Sequence, residues 1–166
     1  MLKRKITLIL LLLLIILNII LTPKITPKKQ KNSKEKTEYM TLIIKKINLK
    51  EKIYNLNDKR NNIEEHVTIL KESIMPDKEN SILFIAAHSG TGKIAYFERL
   101  DKLKEGDEIV LIYNKKYIKY YVKDIWEENK NGYINVNKEK EKQLILTTCS
   151  PHKKNKQLII NCIKKD

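Results

Sequence analysis

Short apolar segments separated by polar turns occupy most of the chain after residue 40. They are enriched in Ile, Val, Leu and Tyr, and turn formers such as Asn131-Gly132 lie between them. The pattern predicts strands over residues 40–49, 81–87, 108–113, 117–126, 133–136, 143–148 and 157–163. Helical spacing is weak and is confined to residues 61–70 and 94–103. We therefore predict an all-β barrel or sandwich.

A different pattern occupies the amino terminus, where residues 6–21 are almost entirely Leu and Ile after a short basic flank. At about 1.5 Å per residue this run approaches the thickness of a bilayer core. A cleavable signal peptide is the alternative, but the bulky sequence Leu21-Thr22-Pro23 does not resemble a cleavage site. We predict a membrane anchor over residues 1–21, a basic linker over 22–39 and a domain over 40–166. The expected location is the cell membrane, with a single span and the carboxy-terminal domain outside.

Charge adds a second constraint on partners. The 166 residues include 34 Lys and Arg against 20 Asp and Glu, for a formal charge of +14. Such an excess suits a nucleic acid, an anionic membrane or a polyanionic cell wall, or it reflects only a compositional bias toward Lys, Ile and Asn. Because the basic residues are dispersed and not gathered into one block, the compositional bias is a sufficient explanation of the charge. We expect a membrane partner and no nucleic acid.

Two of the predicted strands end in a chemically reactive side chain. Residues 82–87 run directly into His88, and residues 143–148 run into Cys149. A thiol and an imidazole are the pair that a cysteine hydrolase or transferase uses, although each residue taken alone is more often structural. Cys162 alternates with apolar neighbours in the last predicted strand and is expected in the core.

Several motifs resemble those of the sortases. Leu146-Thr147-Thr148-Cys149 is similar to the Thr-Leu-x-Thr-Cys motif, and Ala86-Ala87-His88-Ser89-Gly90 resembles the segment that presents the family's histidine. Residues 44–49 are similar to the family's opening strand, and residues 97–109 to its Leu-x-x-Gly-Asp-x-Ile passage. The resemblance implies a closed eight-stranded β-barrel with one or two short helices, preceded by a transmembrane helix.

The resemblance also implies an activity and its partners. Sortases are membrane-anchored cysteine transpeptidases that cleave a sorting signal such as Leu-Pro-x-Thr-Gly on secreted proteins. They transfer the acyl group to an amine of a peptidoglycan precursor or of a pilin. No cofactor or metal is expected, and the scattered carboxylates nominate no calcium site.

Residue roles follow from the same resemblance. Cys149 is the expected nucleophile and His88 the general acid and base, with Thr148 and Ala87 as candidate substrate-binding residues. Gln157 stands where the family has an arginine that stabilises the oxyanion, so Lys156, or Lys154 nearby, is a candidate substitute. Three alternatives remain open: a degenerate sortase, another cysteine peptidase of cell-wall peptides, and a tethered domain that binds wall polymer without catalysis.

Overall fold

The computed structural model describes residues 39–165, which form eight β-strands and two short 3₁₀ helices, Lys45–Ile47 and Leu100–Lys102. The strands are β1 (Tyr39–Ile44), β2 (Leu49–Tyr54), β3 (Thr68–Ile69), β4 (Ile82–Ala86), β5 (Glu108–Tyr113), β6 (Lys116–Asn129), β7 (Gln143–Cys149) and β8 (Lys156–Lys164).

The predicted membrane anchor, residues 1–21, and residues 22–38 of the predicted linker lie outside the described part of the chain, so both stay predictions. Within residues 39–165, no helix has the length and apolar character needed to cross a membrane.

All eight strands belong to one sheet in the order β2-β1-β5-β6-β8-β7-β4-β3. Neighbouring strands are antiparallel except β4 and β7, which run parallel. The all-β prediction with eight strands is confirmed, but the barrel is only nearly closed, because β2 and β3 stand at opposite ends of the hydrogen-bonded order. The side chain of Asn61 bonds both the N–H and the carbonyl of Ile69, so polar groups at the free edge of β3 are satisfied.

The core fills the interior of the sheet. β1 alternates buried and more exposed residues, as expected of a strand with one face on a core, whereas residues 143–148 of β7 are all buried. A strand covered on both faces needs consecutive apolar residues, which explains the run Leu144-Ile145-Leu146 at the centre of β7. The largest fully buried side chains include Tyr120, Phe97, Met40, Leu42, Ile44 and Ile53.

Three local predictions differ from the structure. The predicted strand 40–49 is broken by the first 3₁₀ helix, which ends at Asn48 with a left-handed φ of 56°, and the chain then reverses into β2. Residues 133–136 form no strand, because the main-chain N–H and the side-chain amide of Asn135 bond the carboxylate of Glu128. Of the two predicted helical regions, 61–70 contains turns and β3, and 94–103 contains only the second 3₁₀ helix.

β6 is longer than predicted and carries an irregularity that matters for the site. Its pairing with β8 shifts register between Val122 and Asp124, and the strand then continues to Asn129, which pairs with Lys156. The extension brings the end of β6 to the end of the sheet where β7 stops and β8 begins.

Candidate active site

The parallel pairing of β4 and β7 brings the two predicted catalytic residues together. Ala86 pairs with Thr147 in that ladder, so continuing the register by two residues sets His88 opposite Cys149. Neighbouring strands are about 4.8 Å apart. Two residues that are 61 positions apart in sequence therefore leave adjacent strands at the same edge of the sheet.

Further hydrogen bonds, outside the regular β4–β7 ladder, join residues 87–89 to residues 147–149. The Oγ1 of Thr148 donates to the carbonyl of Ala87 at 2.7 Å, and the N–H of Ala87 donates to the carbonyl of Thr147 at 3.3 Å. One residue further, the Oγ of Ser89 donates to the carbonyl of Cys149 at 2.9 Å. Thr148 and Ala87 thus hold the ends of these two chain segments side by side, and their predicted role in substrate binding stays a prediction.

Cys149 is a free, partly exposed thiol whose sulfur contacts a cation. The Nζ of Lys130 donates to its Sγ at 3.1 Å. Lys130 follows the last residue of β6, and its main-chain N–H donates to the carbonyl of Asn155 at 2.9 Å. The contact places a positive charge directly beside the accessible sulfur.

His88 follows β4 by two residues and combines a partly exposed side chain with a buried ring nitrogen. Its side chain is 34% exposed, yet Nε2 is buried and makes no hydrogen bond within residues 39–165. The Oε2 of Glu64 lies 3.7 Å from Nε2, an ion-pair distance for a protonated imidazole. The carbonyl of His88 accepts from the N–H of Phe97 at 2.9 Å, which fixes the main chain beneath the ring. Nε2 is thus shielded from solvent, with the Glu64 carboxylate as its charged neighbour.

Gln157, the residue at the expected arginine position, pairs directly with Cys149 across β7 and β8. Its side-chain amide nitrogen donates to Oε1 of Glu128 at 3.0 Å and to the carbonyl of Tyr133 at 2.6 Å. An amide has two N–H groups, so both are engaged within the protein. Gln157 therefore lies beside Cys149, but no free donor remains for an oxyanion unless these bonds open.

Lys156, the predicted substitute for the arginine, precedes Gln157 at the start of β8. Its main chain closes the loop after Cys149, because its carbonyl accepts from the N–H of Ser150 at 2.9 Å. Among the described residues, its side chain makes no hydrogen bond or ion pair with Cys149 or His88. Its role as a catalytic cation stays a prediction.

The loop that follows Cys149 is organised by one serine. The Oγ of Ser150 accepts from the N–H groups of His152 at 3.0 Å and Lys153 at 2.9 Å, and it donates to the carboxylate of Glu127. That hydrogen bond, followed by the one from Lys153, lowers the pKa of the Glu127 carboxyl. The turn fixes the direction in which the chain leaves the nucleophile.

The second cysteine has an opposite environment. Cys162 is fully buried in β8, as predicted, and burial raises the pKa of its thiol. Both cysteines are free, so the chain carries one accessible thiol and one inert thiol. Within residues 39–165, no group of three or more His, Cys, Asp or Glu is placed to hold a metal ion.

Sequence reasoning missed Lys130 and Glu64. The predicted strand before Lys130 stopped at residue 126, whereas β6 continues to Asn129, so nothing in the sequence singled out Lys130. Glu64 lies before β3, which the sequence pattern did not predict. No local pattern distinguishes either residue, since their positions depend on how distant strands pair.

Comparison with known proteins is consistent with this geometry. A family model described as a sortase domain matches residues 42–164, whereas a comparison with curated proteins gives no match. The structure is similar to a lid mutant of sortase A from Corynebacterium diphtheriae, with a TM-score of 0.70, 23% identity, and coverage of 81% of this chain and 75% of that one. It is also similar to sortase C of Streptococcus pneumoniae, with a TM-score of 0.66, 24% identity, and coverage of 76% and 67%.

A third similar structure is sortase C-1 from Actinomyces oris, with a TM-score of 0.64, 22% identity, and coverage of 76% of this chain and 73% of that one. At these identities the structural likenesses establish the fold, and the family model, which spans nearly the whole described barrel, establishes membership. The chain belongs to the sortase family, whose members are cysteine transpeptidases.

Proposed function

We propose that this chain is a sortase transpeptidase in which Cys149 is the nucleophile and His88 the general acid and base. The observation that carries the proposal is the parallel register of β4 and β7, which delivers a partly exposed thiol and an imidazole to one edge of the barrel. Membership of a family of cysteine transpeptidases supports the same assignment.

The chemistry proceeds in two half-reactions. The Cys149 thiolate attacks the carbonyl carbon of the scissile amide, the C–N bond breaks, and the His88 imidazolium gives its proton to the leaving amine. The acyl group is then a thioester on Sγ. An incoming amine attacks that thioester, loses a proton to the now neutral His88, and releases the Cys149 thiolate. Both residues return to their starting protonation states.

The proposed substrate is a sorting signal similar to Leu-Pro-x-Thr-Gly near the carboxy terminus of a secreted protein. The proposed acceptor is an amine of a peptidoglycan precursor or of a pilin, and sortase C of Streptococcus pneumoniae, which has a similar fold, is described by its pilin substrate specificity. We further propose that residues 1–21 anchor the chain in the membrane with the barrel outside, where these substrates are exposed.

A weakly active or inactive sortase-like domain is a second candidate, and the observation that favours it is Gln157. Its amide N–H groups are already bonded to Glu128 and Tyr133. Loss of one oxyanion donor costs about a hundredfold in rate. A site that relied on Gln157 alone would therefore be slow.

Cleavage of a fluorogenic sorting peptide separates the two candidates. The wild-type chain should cleave the peptide and, with an added amine, give the transpeptidation product. Cys149→Ala should abolish both reactions, whereas Cys162→Ala, which removes the buried thiol, should retain them. Turnover that survives Cys149→Ala would remove the proposal, and a correctly folded wild type that cleaves no peptide in a sequence-diverse library would favour the inactive domain.

A further inference from the structure

The site contains a cation that contacts the nucleophile, although the expected arginine position is neutral. We propose that Lys130 is a catalytic residue that supplies this positive charge, first to the Cys149 sulfur and then to the oxyanion of the tetrahedral intermediate. The inference rests on the transpeptidase function proposed above. Its direct observation is the distance of 3.1 Å between Nζ of Lys130 and Sγ of Cys149.

The backbone of Lys130 is fixed on both sides. Before it, Asn129 is the last residue of β6 and pairs with Lys156 in β8. At Lys130 itself the N–H donates to the carbonyl of Asn155, and immediately after it the N–H of Asn131 donates to the carbonyl of Asn129 at 3.0 Å. The side chain therefore starts from an ordered position two strands from β7 and reaches across β8 to the sulfur.

Some of the charged side chains near the site are already engaged. Lys153 forms an ion pair with Glu127 at 3.1 Å, and the carboxylate of Glu128 accepts from Gln157 and Asn135. Within residues 39–165, Lys130 has no carboxylate within ion-pair distance, and its side chain bonds the sulfur instead. Its charge is therefore available to the reacting group.

The proposed role follows the movement of negative charge. When the thiolate attacks, its charge moves to the former carbonyl oxygen, which is bonded to the carbon that the sulfur has just joined. The ammonium has three N–H donors on a flexible stem, so it can turn from the sulfur to that oxygen. Lysine is a compact point charge and not a planar fork, so it stabilises the oxyanion without the bidentate substrate contacts of an arginine. The contribution is therefore expected in kcat and not in KM.

Thiol alkylation tests the contact with sulfur without any sorting peptide. At neutral pH, Lys130→Met should react with iodoacetamide about tenfold more slowly than wild type, the size expected of one charge contact near solvent. Lys130→Arg should restore most of the rate. Lys138→Met, which removes one charge from an exposed position of the same loop, is the matched control and should react within twofold of wild type, since a distant exposed charge is screened.

Peptide turnover tests the contact with the oxyanion. Lys130→Met should lower kcat by about a hundredfold, as expected for an oxyanion donor, with little change in KM. Equal alkylation and equal kcat for Lys130→Met and Lys138→Met would overturn the inference. Slower alkylation of Lys130→Met in a chain whose wild type cleaves no peptide would uphold the contact with sulfur and refute the transpeptidase function, so the two failures are distinguishable.

Discussion

The hydroxyl of Thr148 is predicted to hold the catalytic strands together, and Thr148→Val tests this with almost no change in shape. Thr148 is 6% exposed, and its Oγ1 donates to the carbonyl of Ala87, which is 3% exposed. Valine keeps the β-branch and the volume but leaves that buried carbonyl without this donor. Removing one partner of a buried hydrogen bond costs about 1–3 kcal/mol. We expect the free energy of unfolding to fall by about 1–2 kcal/mol, because the added methyl group offsets part of the loss.

Activity should fall as well, because the lost bond lies one residue before both His88 and Cys149. A displacement of about 1 Å in a catalytic group can cost a hundredfold in rate. Urea unfolding followed by circular dichroism gives the stability, and fluorogenic peptide cleavage gives kcat. Thr147→Val is the matched control, since Thr147 is equally buried and its hydroxyl makes no hydrogen bond within the described chain. If the two valine variants have equal stability and equal kcat, the reasoning is refuted.

Three further predictions concern the barrel around the site. Tyr120→Phe should raise the free energy of unfolding by up to about 1 kcal/mol in urea titrations, because the buried hydroxyl has no hydrogen-bond partner within residues 39–165. The same burial raises the pKa of Tyr120 to about 12. A clear loss of stability in the Phe variant would contradict this prediction. Asn61→Ala should cost about 2 kcal/mol in the same assay, about 1 for each bond to Ile69, and an unchanged midpoint would contradict it. Glu127, whose pKa is lowered, stabilises the fold fully above its ordinary value of 4.5 and loses that effect as the pH falls through its folded-state pKa. The stability difference between wild type and Glu127→Gln should therefore shrink in acid, and a difference that grows would contradict the assignment.

Much of the sheet is visible in the sequence because the central strands carry strong apolar signals. β4 and β7 were predicted nearly to their ends, since each carries a continuous run of apolar residues, 82–86 in β4 and 144–146 in β7. β2 was missed because Leu49 and Ile53 are its only fully buried residues and its register comes from pairing with β1. β3 has two residues, which is too short for any periodicity.

The residues of the candidate site also differ in how well the sequence locates them. The sequence located Cys149 and His88 at the ends of two strongly apolar strands, and one parallel ladder accounts for their position at the same edge of the sheet. Lys130 was not predictable, because its contact with the sulfur depends on the length of β6 and its pairing with β8. A turn lysine has no distinguishing pattern in a chain with 34 Lys and Arg residues.

Covalent trapping tests most directly the central claim, which is that Cys149 is the nucleophile that attacks a bound sorting peptide. The chain is incubated with a vinyl-sulfone analogue of the sorting peptide or with its scrambled sequence, and the adducts are mapped by mass spectrometry. The buried Cys162 serves as a control thiol within the same molecule. We predict one adduct, on Cys149, that requires the correct peptide sequence and is strongly reduced by His88→Ala. No adduct on Cys149, or equal labelling by the scrambled peptide, would contradict the account.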